Sequence, residues 1–166
     1  MPARPIPKGY EGPIPFLAVD DAARAIDFYA RAFGARERLR MNTPGGEVAH
    51  AEIEIGGRIV MLADRLPIYS WRPPTELGGT SVGLGRYVED VVQQAVGAGA
   101  RVTLPVEDKF YGDRYGRVAD PFGHEWQIAT HTEDLTPEEI AARGREAMAN
   151  ADRRPPGRTT GVSGEQ

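Results

Sequence analysis

In the stretch "AHAEIEI", His50, Glu52 and Glu54 recur at every second position, the spacing that sets side chains on one face of a strand. His50 and Glu52, side by side, could coordinate a cation or exchange a proton with a bound molecule. The same spacing also fits a solvated face opposite Ala51, Ile53 and Ile55 packed on a helix. A second stretch, "GDRYGRVADPFGHEWQIATH" over residues 112–131, carries His124, Glu125 and His131 among further charged side chains. Alternation there puts Glu125, Gln127 and Ala129 on one face and His124, Trp126 and Ile128 on the other. A carboxyl group held in a pocket without a cation is pushed up toward neutrality and can act as acid or base, whereas one at a rim is simply ionised. His50, Glu52 and Glu125 are therefore the candidate catalytic residues if the protein is an enzyme.

Phe110, Tyr111 and Tyr115 cluster with Arg114 and Arg117 in "DKFYGDRYGRVADPFG". Aromatic faces stack on planar molecules and guanidinium forks grip carboxylate or phosphate, so the mixture suits an amphipathic ligand. The competing reading is a hairpin in which Arg117 and Asp120 lock a turn. Tyr111 leans toward the ligand, and "DPFG" reads as a turn. Tyr69 and Trp71, in a proline-rich stretch, fit either a lid over a cavity or an interface with a second chain. Trp126 reads as core. There is no Ser-His-Asp order, phosphate-cradling glycine loop or HExxH helix, and "GLGRYV" lacks the context of a dinucleotide fingerprint.

The elements that must position these residues follow from periodicity. "GPIPFLAVDD" reads as a strand over roughly residues 13–19, and Asp20 or Asp21 caps a helix ended by Gly34. "RERLRMN", "EVAHAEIEI" and "RIVMLAD" are strands joined by glycine turns. Residues 65–79 read as a loop. "TSVGLGRYV", a shorter helix in "EDVVQQAVGAGA" with Asp90 before it, and three further strands then repeat the order strand, helix, strand, strand, strand. An internal repeat of this kind implies two modules that cannot bury their sheets alone and pack on each other. Thr136 and Glu139 form a capping box, with Pro137 at the first position of a final helix.

The chain has 166 residues, 40% hydrophobic and 27% charged, with net charge −4 and no cysteine. This is an ordinary globular composition, without the basic footprint of a nucleic-acid binder, without disulfides, and with only nitrogen and oxygen ligands for any metal. No run approaches the ~18 apolar residues of a membrane span, and "MPARPIPKGY" lacks a signal-peptide core, so a cytoplasmic protein with no membrane partner is expected.

The double order, "IDFYARAFGA", "VAHAEIEIGGRIVMLAD" and "YGRVADPFGHEWQI" together resemble the vicinal oxygen chelate superfamily, and within it the PhnB-like glyoxalase/bleomycin-resistance group. The resemblance covers roughly residues 10–131, with modules near 10–64 and 79–131, followed by a helix over 132–151 and a disordered tail over 152–166. It implies an α+β fold in which two βαβββ modules form a curved eight-stranded sheet around a cavity, with a C-terminal helix appended. It also implies a homodimer. Catalytic relatives grip a divalent metal with His and Glu side chains from four strands, and those places fall by register on Ile14, Met61, Gly83 and Gln127. Such residues cannot hold a hard cation. The expectation is thus a metal-independent protein without a cofactor, binding a small organic ligand through Ile14, Phe16, Met61, Tyr111 and Gln127, with Glu125 or His50 orienting it. The alternative is a lyase, isomerase or dioxygenase with a relocated metal or acid/base site built from His50, Glu52 and Glu125. A third reading is a domain that only dimerises.

Overall fold

Asp21 sits in extended backbone and its carboxylate accepts the amide of Arg24, and Gly34 ends the helix in the left-handed region. Between them α1 (Ala22–Phe33) buries Ala22, Ala25, Ile26, Tyr29, Ala32 and Phe33 along an apolar stripe, with Phe28 beside it. The computed structural model describes residues 5–88 and 91–152. Around α1 the first module contains β1 (Phe16–Val19), β2 (Arg36–Asn42), β3 (Val48–Ile55) and β4 (Arg58–Asp64). These form one sheet in the order β1-β4-β3-β2, with β1 and β4 parallel and the other pairs antiparallel.

After a connector containing the four-residue α2 (Pro74–Leu77), the second module repeats the plan. It comprises β5 (Gly83–Tyr87), α3 (Val92–Ala98), β6 (Arg101–Asp108), β7 (Asp113–Ala119) and β8 (Glu125–His131), in the order β5-β8-β7-β6. The chain ends in α4 (Pro137–Asp152), where Thr136 and Glu139 exchange both bonds of the capping box at 2.8 and 3.2 Å. The expected α+β architecture of two βαβββ modules with a C-terminal helix is present. Its eight strands are divided into two four-stranded sheets, whose edge strands β1 and β5 flank the same cavities without pairing. Pro74 starts α2 where a loop was expected, because a proline has no amide to leave unpaired at a first helical position. Asp90, expected just before the second helix, and all of the tail but Asp152 lie outside the described residues. No helix among the described residues is long and apolar enough to cross a membrane.

A single core joins the modules, and α1 is its keystone. Phe33 and Tyr29 lie 4.4 and 5.5 Å from Trp126 of β8, and Phe28 meets Phe122 at 6.2 Å. Tyr29, fully buried, donates its hydroxyl to Asp120 at 2.7 Å. Asp120 also accepts Trp126 Nε1 and the amides of Phe122 and His124, so one buried carboxylate holds the "DPFG" turn and ties it to α1. Two further bonds cross between modules at the end of α1, from Arg86 Nη1 to the Phe33 carbonyl and from Gln94 to the Arg31 carbonyl. Cations and donors at a helix C-terminus satisfy its unpaired carbonyls.

Candidate functional site

The faces turned away from the core carry most of the candidate residues. Leu17, Val19, Ala51, Ile53, Val60 and Leu62 belong to the core, so alternation turns Phe16, Met61, Glu52 and His50 to the opposite side. Register sets Phe16, Met61, Glu52 and Leu39 in one row across four strands, with His50 opposite Met41 in the next.

Two segments fold over this face. The chain before β1 brings Tyr10 to Glu52, donating its hydroxyl at 2.5 Å, and Arg38 lies 5.8 Å from the same ring. The carboxylate pushes the Tyr10 phenol up, chiefly because the hydroxyl is already engaged as a donor. The connector between β4 and α2 brings Trp71 to 4.6 Å from Phe16 and Tyr69 to 4.9 Å from Trp71, and the Tyr69 hydroxyl donates to the Ala49 carbonyl. His50 stands 5.8 Å from Phe16 and 3.5 Å from a carboxylate oxygen of Glu52. Glu52 is only 7% exposed, yet it reaches Tyr10 directly and His50 at the limit of hydrogen-bond distance.

On the second sheet Glu125 is half-buried and accepts the Thr103 hydroxyl at 2.9 Å. Gln127, paired with Gly85, lays its amide over Gly83, where a Cβ would stand 2.6 Å from Nε2. A third group runs along the far end of the sheet. Tyr87 donates to Asp113 at 2.6 Å, and His131 bridges Asp113 and Asp134 through its two ring nitrogens at 2.8 and 3.0 Å. Those partners hold His131 above its ordinary value, Asp113 first, while the Tyr87 hydroxyl and His131 hold Asp113 below the usual carboxylate range.

Two cavities open where β1 and β5 face each other. The larger, of about 610 Å³, is lined by Ile14, Pro15, Ile59, Gly83, Gly85 and Arg86 among others, and the smaller, of about 470 Å³, by Phe16, Trp71, Leu77, Val82, Leu84 and His124 among others. His124 is buried with Nε2 3.0 Å from the Ala18 carbonyl. A carbonyl only accepts, so this nitrogen carries the proton and the ring closes the open edge of β1.

Of the residues expected to bind a ligand, Ile14 lines the larger cavity, Phe16 the smaller, and Gln127 overhangs Gly83 on the wall of the larger. Met61 lies beside Phe16 in the row that Tyr10 and Trp71 cover. Tyr111 sits apart, in the turn between β6 and β7, edge-on to Phe110, with burial raising its phenol. His50 and Glu52 are neighbours, but Glu125 lies on the other sheet with Thr103 as its partner. Tyr10, Arg86 and the Tyr87–Asp113–His131 chain had no signal in local spacing.

The donor set does not fit the metal that catalytic relatives hold. Ile14 and Met61 offer no hard oxygen, Gly83 has no side chain, and the Gln127 amide supplies one neutral oxygen at most. Among the described residues no three His, Cys, Asp or Glu side chains converge on a point that could hold an ion.

Paired βαβββ modules, joined through their helices and leaving cavities between their edge strands, define a class of α+β proteins. The chain belongs to the Glyoxalase/Bleomycin resistance protein/Dioxygenase superfamily, whose pattern matches residues 14–128. Among curated proteins it is 46% identical over 134 residues to "Uncharacterized protein Rv0887c" of Mycobacterium tuberculosis, covering 77% of this chain and 79% of that one. Among solved structures it resembles TioX from Micromonospora sp. ML1, at 31% identity and a TM-score of 0.56, covering 76% of this chain and 100% of the other. The fold is also shared with the PhnB protein of Bacillus cereus, at 17% identity and a TM-score of 0.55, over 72% of this chain and 99% of that one.

Proposed function

We propose that this chain is a metal-independent small-molecule-binding protein of the glyoxalase/bleomycin-resistance type, holding an organic ligand in the cavity between its two sheets. The observation that carries the reading is the cavity of about 610 Å³ at Ile14 and Gly83, where the family's register calls for cation ligands and this sequence supplies an apolar side chain and a bare glycine. A volume within about 300–1,000 Å³ suits an organic molecule of moderate size. Leu39 and Met41 stand 43% and 54% exposed on edge strand β2, which supports a homodimer as the working assembly. Cytoplasmic residence belongs to the same proposal.

The test is a thermal-shift screen with amphipathic aromatic and carboxylated compounds, paired with elemental analysis of the purified protein. A ligand at 100 times its Kd stabilises by about 2.7 kcal/mol, which for a domain of this size raises Tm by roughly 5–10 °C. Ile14→Trp, which fills the cavity, is expected to abolish the shift. One tightly held divalent metal per chain, lost together with activity in His50→Ala or Glu125→Gln, would establish the enzymatic alternative instead.

A further inference from the structure

We propose that the seam cavity selects an organic anion, a carboxylate- or sulfonate-bearing amphipathic molecule whose charge is gripped by Arg86 with help from Arg58. This deepens the reading just given and rests on it. The whole chain is acidic, at net −4, yet the charged side chains lining this cavity are two guanidiniums, Arg58 and Arg86, against the single carboxylate of Glu11. Glu11 turns one oxygen to the Gly9 amide at 3.0 Å, and neither arginine has a carboxylate within 4.0 Å among the described residues.

Arg86 is the better placed of the two. Its Nη1 is fixed on the Phe33 carbonyl at 2.8 Å, and its stem passes the β3–β4 turn, with Nε 3.9 Å from where a Gly56 Cβ would lie. The anchored end leaves four of the five guanidinium donors uncommitted beside the cavity. Burial pulls the guanidinium below its ordinary value, the mark of a cation partly stripped of water without a compensating anion. It remains charged at neutral pH. A cation that is already desolvated and pinned loses little further freedom on meeting a carboxylate, and a bidentate fork is the geometry it offers. Beside Tyr87, the rest of the wall includes Ile14, Ile59, Leu84, Trp126 and glycine backbone, which suits an apolar body behind the charged head.

The experiment compares two fluorescent probes that share their ring system, anilinonaphthalene sulfonate and the uncharged phenylnaphthylamine. Titrations use the full-length protein, its Arg86→Gln, Arg86→Lys and Arg58→Gln variants, and Ile14→Trp. The sulfonate probe is expected to bind about tenfold more weakly to Arg86→Gln, severalfold more weakly to Arg58→Gln, and more weakly in high salt. Arg86→Lys recovers part of the loss, and the neutral probe binds all three alike. Because Arg86 also closes α1, each variant's near-ultraviolet circular dichroism is recorded. If Arg86→Gln does not fold, exposed Arg58 and the salt titration carry the comparison. Equal effects of the arginine variants on both probes, or none on either, overturn the anion assignment while leaving the cavity reading intact. If Ile14→Trp leaves both probes bound as before, the cavity itself is not the site and both readings fall.

Discussion

Removing the Tyr29 hydroxyl tests whether the two modules are held at a fixed relation by polar as well as apolar contacts. Tyr29→Phe leaves the ring in place among Phe33, Phe122 and Trp126 and deletes only the 2.7 Å bond to Asp120. Asp120 keeps three donors, Trp126 Nε1 at 3.0 Å and the amides of Phe122 and His124 at 2.9 Å, so no buried charge is orphaned. The cost is therefore that of one hydrogen bond to a charged acceptor, about 2 kcal/mol. At roughly 2–4 °C per kcal/mol for a domain of this length, Tm falls by about 4–8 °C. Asp120→Ala is a different perturbation. It strands a fully buried phenol, an indole N–H on a residue 3% exposed, and two turn amides. With about 1–3 kcal/mol for each unsatisfied buried group, the loss is on the order of 4 kcal/mol or more, comparable to the whole margin of about 5–15 kcal/mol on which a domain depends. Guanidinium denaturation followed by tryptophan fluorescence reads both, since Trp126 lies against the perturbed group. The reasoning is refuted if Tyr29→Phe costs under about 0.5 kcal/mol, or if Asp120→Ala is no worse than Tyr29→Phe.

Two other expectations follow from the second sheet. His131 is raised in the folded state by Asp113 and then Asp134, so it contributes stability below its unfolded value of about 6.5 that is lost as pH rises through the higher folded value; in an NMR titration its midpoint should drop in Asp113→Asn, and an unchanged midpoint would show that the ion pair is not formed in solution. Gly116→Ala is expected to cost about 1–3 kcal/mol in urea denaturation, because its Cβ would meet the Leu104 carbonyl oxygen at 3.1 Å and the Val106 Cα at 3.1 Å and wedge β6 from β7; wild-type stability in that variant would mean the hairpin has slack that these contacts deny.

What the sequence made legible is whatever local chemistry decides. The α1 cap and its glycine stop, the Thr136–Glu139 box, the "DPFG" turn and the inward Trp126 each depend on residues within a few positions of one another, and periodicity assigned the faces of β3 and β8. Spacing says which face a residue takes but not what will lie over it. Nothing in "KGYEGP" points to Glu52, 42 positions after Tyr10, and nothing in "GLGRY" shows that its arginine will cap a helix from the other module. Both are products of how the modules pack. For the same reason His50, Glu52 and Glu125 look like a set in the sequence but are divided between two sheets in space.

Two of the places that the resemblance assigns to metal ligands, Gly83 and Gln127, are coupled through packing. Gln127 lays its amide along its own sheet, over residue 83 of the neighbouring strand β5. It can do so only because residue 83 is glycine: any Cβ there would stand 2.6 Å from Nε2 and force the amide aside. The long side chain on β8 and the missing one on β5 are thus two halves of one packing solution. Opposite them, Ile14 supplies the apolar wall that an amide and a glycine leave incomplete. On the proposed reading, such a wall offers a bound molecule many moderate contacts rather than one point of strong attraction.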